Sequence, residues 1–183
     1  MIDNESATGN ENTRPAVNSN PFNLRVIEEF RANGGVVGGD FEGISLLLLS
    51  TRGARSGLPR TTPLVYLPDG DRLIVFASNG GAPTAPAWYH NILAHPESVQ
   101  VEAGTERFEA RATALPESEH DELWRRQTER DPNFATFRTR TRRVIPVIAL
   151  TRKLPEEARG EATPNAATPN EATPNEAGDD AAA

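Results

Sequence analysis

The sequence predicts an α+β domain, a small and mostly antiparallel β-barrel of about six strands with three or four helices. Three observations predict it. Short apolar runs recur through the middle of the chain, turn signals join two pairs of them into hairpins, and segments with helical periodicity separate the rest. The length of 183 residues fits one domain. We expect that domain at 20–154, between tails at 1–19 and 155–183.

The helices are predicted from their start and stop signals. Asn20 is an N-cap residue, and Pro21 occupies the first helical position, where a proline is tolerated. Asn33-Gly34-Gly35 ends this helix. Similar signals predict helices at 86–94, 117–130 and 133–139.

The strands are predicted at six apolar runs. Pro68-Asp69-Gly70-Asp71 joins the second run to the third, and Gly104-Thr105 joins the fourth to the fifth, so each pair is expected to form a hairpin. The six runs are 44–50, 61–67, 72–77, 98–103, 107–112 and 144–150.

Both tails are expected to be disordered, because they contain too little apolar surface to offset the entropy of ordering. The first is rich in Asn, Ser, Thr and Glu. The second repeats Ala-Thr-Pro-Asn from residues 162, 167 and 172, with a proline in each copy that opposes helix and sheet. It also holds seven carboxylates against one arginine, so the domain itself is close to neutral.

Composition excludes several classes of function. The chain has no cysteine, which excludes disulfides, thiolate catalysis and cysteine-ligated metals, and its three histidines lack metal-ligand spacing. A near-neutral domain argues against nucleic acid as a partner. The polar start resembles no signal peptide and no run reaches the length of a membrane span, so we expect a cytoplasmic protein.

A loop at 50–60 is the first candidate site. It contains Arg52, Arg55 and Arg60, several hydroxyl residues and two glycines that let backbone N–H groups approach a ligand. This composition suits a phosphate or a carboxylate. The alternative is a basic loop exposed to water.

Three further segments hold candidate site residues. The small residues at 76–83 follow a strand and would allow a flat ring to lie against the backbone. The helix start at 86–91 offers N–H groups to an anion, although Trp88 and Tyr89 are equally typical of core or interface aromatics. The aromatics and arginines at 134–143 could line a pocket, form a solvated basic face or make a subunit contact.

Five stretches between residues 20 and 150 share their order and spacing with a known family. Through them the chain resembles the nitroreductase family of deazaflavin-dependent oxidoreductases, whose split β-barrel is related to that of flavin reductases and FMN-binding proteins. The stretches are Asn20-Pro21-Phe22-Asn23, Gly57-Leu58-Pro59-Arg60-Thr61-Thr62-Pro63-Leu64, Ala77-Ser78-Asn79-Gly80-Gly81, Pro86-Ala87-Trp88-Tyr89-His90-Asn91 and Ile145-Pro146-Val147.

The resemblance implies coenzyme F420 as the cofactor and assigns residues to it. Phe134 and Phe137 would line the substrate pocket where relatives carry tyrosines, which leaves water, Ser78 or Tyr89 as the catalytic proton source. The phosphate would lie at Ala54, Arg55, Ser56 and Arg60. The ring would lie at Thr61, Thr62, Pro63, Leu64, Val65, Phe76, Ala77, Ser78 and Asn79, and at Ala87, Trp88, Tyr89, His90 and Asn91 on the helix.

The implied activity is hydride transfer from reduced F420 to a small activated acceptor such as a quinone or a nitro compound. Two alternatives stay open, an FMN-binding enzyme of the flavin-reductase type and a carrier that binds deazaflavin without turnover. A homodimer is compatible with the sequence, and a quinone substrate would allow peripheral contact with a membrane.

Overall fold

One curled antiparallel sheet forms the centre of the computed structural model, which describes residue 18 and residues 20–154. Its strands lie in the order β2-β1-β5-β6-β7-β4-β3, and every neighbouring pair is antiparallel. In chain order the strands are β1 (Leu46–Arg52), β2 (Pro59–Val65), β3 (Leu67–Asp69), β4 (Arg72–Phe76), β5 (Val99–Ala103), β6 (Glu106–Ala114) and β7 (Val147–Arg152).

The sheet curls toward a barrel because its two edge strands are consecutive in the chain. Only Tyr66 separates β2 from β3, and its N–H donates to the Ser45 carbonyl at 3.1 Å. The two ends of the strand order are therefore held next to each other, as barrel closure requires. The predicted antiparallel barrel is confirmed.

The predicted strand at 61–67 is in fact two strands, so the sheet has seven strands rather than six. β2 pairs with β1, and only β3 forms the expected hairpin with β4, with Leu67 opposite Ile74. The reason is that Tyr66 carries the chain from one partner strand to another, a change that apolar periodicity does not reveal. The second predicted hairpin, now β5–β6, is confirmed.

β1 is buried on both faces, which explains its unbroken run of leucines. Leu47 and Leu49 point into the barrel core, whereas Leu46 and Leu48 pack on the outer side under the first helix. Successive side chains of a strand point to opposite faces, so an apolar residue is needed at every position.

Four helices surround the sheet. α1 begins at Asn20, whose side chain accepts a hydrogen bond from the Phe22 N–H, as its N-cap signal predicts. The first and third helices have the predicted bounds, the second begins one residue later, and the fourth is shifted by one residue at each end, which is the usual margin. The helices are α1 (Pro21–Ala32), α2 (Ala87–Ala94), α3 (Glu117–Arg130) and α4 (Phe134–Arg140), and 3₁₀ turns lie at Gly39–Phe41 and Asn79–Gly81.

α3 and α4 cover the outer face of β4 and β7. Phe76, Trp124 and Phe134 meet with ring centroids 5.3–5.6 Å apart, two of the three pairs edge to face. Such pairs add to the stabilisation from burial alone. This aromatic cluster fixes α4 beside the end of β4, where the candidate site lies.

The two predicted tails lie outside the described residues, apart from Asn18. Its side-chain amide donates to the Thr61 carbonyl on β2 at 2.7 Å. Among the described residues, no helix has both the length and the apolar character needed to cross a membrane.

Candidate functional site

A groove of about 400 Å³ lies between the end of β4, the second half of β2 and α4. Its volume and its mainly apolar walls are typical of a small-molecule site. The apolar lining consists of Phe41, Ile44, Leu46, Pro63, Leu64, Val65, Phe76, Phe134 and Phe137, and the remainder of Asp40, Ser78, Gly80, Asp131, Asn133, Thr136 and Arg140.

The groove brings together residues that the sequence placed in separate segments. Five residues assigned to the cofactor ring meet both phenylalanines assigned to the substrate pocket. Phe137 is half-buried, whereas Phe134 is only 5% exposed and belongs to the aromatic cluster. The five ring residues are Pro63, Leu64, Val65, Phe76 and Ser78.

The loop after β4 forms one wall of the groove and has an unusual backbone. Asn79, Gly80 and Gly81 all have positive φ, at 49°, 61° and 82°. A Cβ on Gly81 would lie 2.8 Å from the Phe137 carbonyl oxygen, so the loop touches α4 directly. Ser78, at the start of this loop, is 8% exposed and is one of the residues that line the groove.

The arginine loop closes tightly between β1 and β2. The Gly53 N–H donates to the Leu58 carbonyl, and the Gly57 N–H donates to the Gly53 carbonyl, both at 2.8 Å. Ala54, Arg55 and Ser56 are exposed at its tip. The loop therefore presents polar groups to solvent from a fixed backbone.

Asn91 of α2 holds this loop through two side-chain hydrogen bonds. Its side-chain oxygen accepts from the Ala54 N–H at 3.0 Å, and its amide donates to the Thr51 hydroxyl at 3.1 Å. Both polar atoms are thus used within the protein, and Asn91 is 8% exposed. We read Asn91 as a residue that positions the loop.

β2 connects the arginine loop to the groove. Arg60 and Leu64 lie four residues apart on this strand, a distance of about 13 Å at the usual rise of a strand. Between them, the Thr61 hydroxyl lies 2.7 Å from the Ser50 hydroxyl and is buried, while Thr62 is half-buried. An elongated ligand could therefore span both sites along one strand.

The start of α2 lies apart from the groove. Trp88 is 4% exposed and packs inside the barrel with Leu47 and Leu49, and Tyr89 packs on the same core. The core interpretation of these aromatics therefore holds. Ala87 and His90 are exposed on the helix. The reason is that α2 packs on β1, which turns its apolar side inward.

The two predicted proton sources are consequently separated, since Ser78 lines the groove and Tyr89 does not. Apart from the residues of α2, four predicted ring residues also lie outside the lining: Thr61 and Thr62 on β2, and Ala77 and Asn79 after β4. Ala77 is fully buried in the barrel core, and the exposed Asn79 donates its side-chain amide to the Thr84 carbonyl. The side chains of Ala77 and Asn79 are thus engaged elsewhere in the fold.

The groove also contains an acid, Asp131, at one of the places where the resemblance puts pocket tyrosines of relatives, and no role was predicted for it. Asp131 is 7% exposed, and one of its carboxylate oxygens accepts from the Asn133 N–H at 3.0 Å. The signal was present, because Asp-Pro-Asn before a helix is typical of capping. The 3₁₀ turn that supplies Asp40 and Phe41 had no comparable sequence signal.

A second cleft of about 360 Å³ lies on the other side of α4. The Arg138 guanidinium there pairs with Asp121 at 2.8 Å, and a His120 ring nitrogen lies 3.0 Å from the Leu115 carbonyl oxygen. Within residues 20–154, no cluster of three or more histidine and carboxylate side chains is placed to hold a metal ion.

Comparison with known proteins places this geometry in a family. The model of a family described as F420H(2)-dependent quinone reductase matches residues 24–152. An F420H(2)-dependent quinone reductase of Mycobacterium tuberculosis (strain H37Rv) is 44% identical over 112 residues, which cover 58% of this chain and 73% of that protein.

Two solved structures share the fold. One, described as an F420-H2 dependent reductase (FDR-A), is 34% identical with a TM-score of 0.53, over 58% of this chain and 93% of the other. Another, described as a domain-swapped dimer, is 32% identical with a TM-score of 0.54, over 69% of this chain and 92% of the other. Since the family model spans nearly all of the described residues, the chain belongs to the F420H(2)-dependent quinone reductase family.

Proposed function

We propose that this protein is an oxidoreductase that transfers a hydride from reduced coenzyme F420 to a quinone. The observation that carries the proposal is the groove, which the apolar residues of β2 and β4 line together with Phe137 and Ser78. Membership in the family supplies the chemical class.

The residues fit the two ends of a deazaflavin cofactor. Pro63, Leu64 and Val65 form an apolar surface suited to a flat ring. Arg60, about 13 Å away at the other end of β2, and Arg55 in the loop before this strand suit the phosphate of the cofactor tail. A flat apolar group joined to a distant anion is the ligand that this arrangement favours.

The protein contributes orientation and a controlled environment, while the bound cofactor would supply the hydride chemistry. Phe76, Phe134 and Phe137 would keep water away from the reacting atoms. We assign the Ser78 hydroxyl to hydrogen bonding at the acceptor oxygen, because Ser78 is among the groove residues whereas the half-buried Tyr89 packs against the barrel core. Orientation of this kind is a principal source of rate enhancement.

The apolar groove favours quinones over nitro compounds as acceptors. A quinone can take its proton from water after hydride addition, whereas a nitro group benefits more from a nearby hydroxyl donor. The nitroreductase activity implied by the resemblance is therefore expected to be the weaker one in this chain.

This preference predicts the effect of adding a hydroxyl. Phe137→Tyr should raise kcat/KM for a nitroaromatic several-fold and change that for a quinone little, because Phe137 is half-buried in the groove lining. Phe134→Tyr is the control, since Phe134 contacts Phe76, Trp124 and Phe137 and is nearly buried. Equal responses of both acceptors in Phe137→Tyr would contradict this role.

The activity is tested by mixing the full chain with reduced F420 and a water-soluble quinone. We expect the absorbance of oxidised deazaflavin to return only when protein and quinone are both present. NADPH with FMN is the comparison. Turnover with NADPH and FMN but not with reduced F420 would support the flavin-reductase alternative. Binding of F420 without turnover would support the carrier.

A homodimer is the assembly that one structural relative suggests, since it is described as a domain-swapped dimer. Light scattering of the purified chain distinguishes a monomer from a dimer by its molar mass.

A further inference from the structure

Arg143 lies between α4 and β7 and binds the loop that carries Ser78. One of its terminal nitrogens, Nη2, donates to the Ala77 carbonyl at 2.9 Å and to the Ser78 carbonyl at 2.8 Å. Its Nε donates to the Ala82 carbonyl at 3.0 Å. A single guanidinium therefore holds three carbonyls on both sides of the 3₁₀ turn.

One residue of the loop has a backbone conformation that needs support from its surroundings. Asn79 is the only non-glycine residue with positive φ in the described part of the chain, whereas Gly80 and Gly81 adopt positive φ without steric cost. A non-glycine residue in the left-handed region persists where the surrounding structure over-determines it, and such residues cluster at ligand sites. Arg143 provides this restraint from a segment more than 60 residues away in the chain.

α4 restrains the same loop from the other side. The position of a Cβ on Gly81 lies 2.8 Å from both the Phe137 carbonyl oxygen and the Arg140 Cβ, so the loop has no room to move toward α4. The Arg143 hydrogen bonds act at Ala77, Ser78 and Ala82, before and after this contact. Together they fix where Ser78 enters the groove.

The choice of arginine fits this task. Its planar fork offers several donors at fixed angles, whereas the single ammonium group of lysine is a compact point charge. The Nη1 of Arg143 is buried and has no hydrogen-bond partner among the described residues.

We propose that Arg143 is a positioning residue for the reaction, holding the 77–82 loop so that Ser78 and the end of β4 present a fixed wall to the deazaflavin ring. It acts through the loop and does not itself bind the cofactor. The inference rests on the proposed function, because the loop that Arg143 holds forms one wall of the groove proposed to bind the cofactor ring.

The test compares Arg143→Met with Arg142→Met. Arg142 is the exposed neighbouring residue and lines the second cleft, and its replacement by methionine removes the same charge. We expect the Kd for F420, measured by fluorescence titration, to rise about tenfold in Arg143→Met, in line with the loss of hydrogen bonds to a charged group. At saturating F420, kcat should fall more than the KM for the quinone rises. Arg142→Met should match the wild type.

A second readout needs no cofactor. Backbone amides at 78–82 should exchange with solvent about tenfold faster in Arg143→Met, while amides of β1 should not change. Methylguanidine added to Arg143→Ala should restore part of the F420 affinity and of the amide protection, and it should not affect Arg142→Ala. A residue that only stabilised the fold would not give this loop-specific rescue.

The outcomes separate this inference from the proposed function. Normal F420 binding and unchanged loop exchange in Arg143→Met would overturn the role of Arg143 alone. Failure of the wild type to bind F420 would overturn both. If Arg143→Met does not fold, Arg143→Lys against Arg142→Lys gives the same comparison, and equal Kd values in that pair would overturn the role.

Discussion

Gly81 lies where the loop after β4 crosses α4, and it shows how one Cβ would alter the groove. Its φ is 82°, and an added Cβ would meet the Phe137 carbonyl at 2.8 Å. Both the conformation and the contact require glycine. Neither requirement is visible in the sequence, where Gly80-Gly81 predicts only a flexible loop.

This geometry predicts the cost of an alanine. Gly81→Ala should lower the free energy of unfolding by roughly 2–4 kcal/mol, because strain at positive φ adds to the clash with backbone atoms. Gly70→Ala is the matched control, since Gly70 has a φ of 62° but no atom within 4 Å of its Cβ position. Urea denaturation measures both. Equal losses would show that the contact with α4 contributes nothing.

The arginines of the β1–β2 loop make a separate prediction about cofactor affinity. Arg60→Ala should weaken F420 binding by roughly 10- to 100-fold, and Arg55→Ala somewhat less, because a hydrogen bond to a charged group contributes about 1.5–3 kcal/mol. Arg107→Ala serves as the control, since Arg107 is exposed on β6 and donates to Gln100. Titrations at low and high salt should show the difference shrinking as salt screens the charges. Unchanged affinity in both loop variants would place the anion elsewhere.

Phe134 shows the limit of reading a site from residue types. The sequence assigned Phe134 and Phe137 equally to the substrate pocket. In the structure Phe134 packs on Phe76 and Trp124 as part of the core while also lining the groove. An aromatic at helical spacing is compatible with either role, so only the packing tells them apart.

At the scale of the element, ion pairs tie the β3–β4 hairpin to α3, with Asp69 pairing with Arg126 and Arg72 pairing with Glu119. Asp69 accepts from Arg126 at 2.7 Å and from the Arg72 Nε at 3.0 Å. The hydrogen bond from Arg126, followed by that from Arg72, holds the pKa of Asp69 below its usual range. The charged form is therefore favoured in the folded state.

This predicts a pH dependence with a definite sign. A carboxyl with a lowered folded pKa contributes stability above its unfolded pKa of about 3.9 and loses it as the pH falls through the folded value. Asp69→Asn should therefore be less stable than the wild type at pH 7, and the difference should shrink as the pH is lowered below about 4. Thermal melts from pH 7 to pH 2.5 test this. A difference that stays constant over that range would contradict the assignment.

The helices could be predicted from sequence more completely than the strands. Asn20-Pro21 and Asn33-Gly34 carry explicit start and stop chemistry, and α1 has the expected bounds. The run at 61–67 has no such signal at Tyr66, where the chain changes partner from β1 to β4. Strand pairing is a long-range property, so local periodicity predicts that a strand exists and leaves its partner open.

At the scale of the molecule, barrel closure determines which candidate residues meet. The packing of α2 on β1 places Trp88 in the core and Tyr89 against it, while β2, β4 and α4 converge elsewhere to form the groove. The sequence predicted the barrel and the loop that carries the arginines, because each depends on local stretches, and the assignment of the groove wall to a cofactor ring stays a prediction. It could not predict that Ser78 lines the groove while Tyr89 does not, or that Arg143 binds the loop that carries Ser78. Both depend on how distant segments of the chain pack together.

The central claim is that this groove and the arginine loop together hold F420 along β2. A crystal structure of the full chain with F420 tests it most directly. We predict electron density for the ring against Pro63, Leu64 and Ser78, with the phosphate within hydrogen-bond distance of the loop at 54–60. A ring bound at the exposed side of α2, or in the cleft beside His120, would contradict the claim.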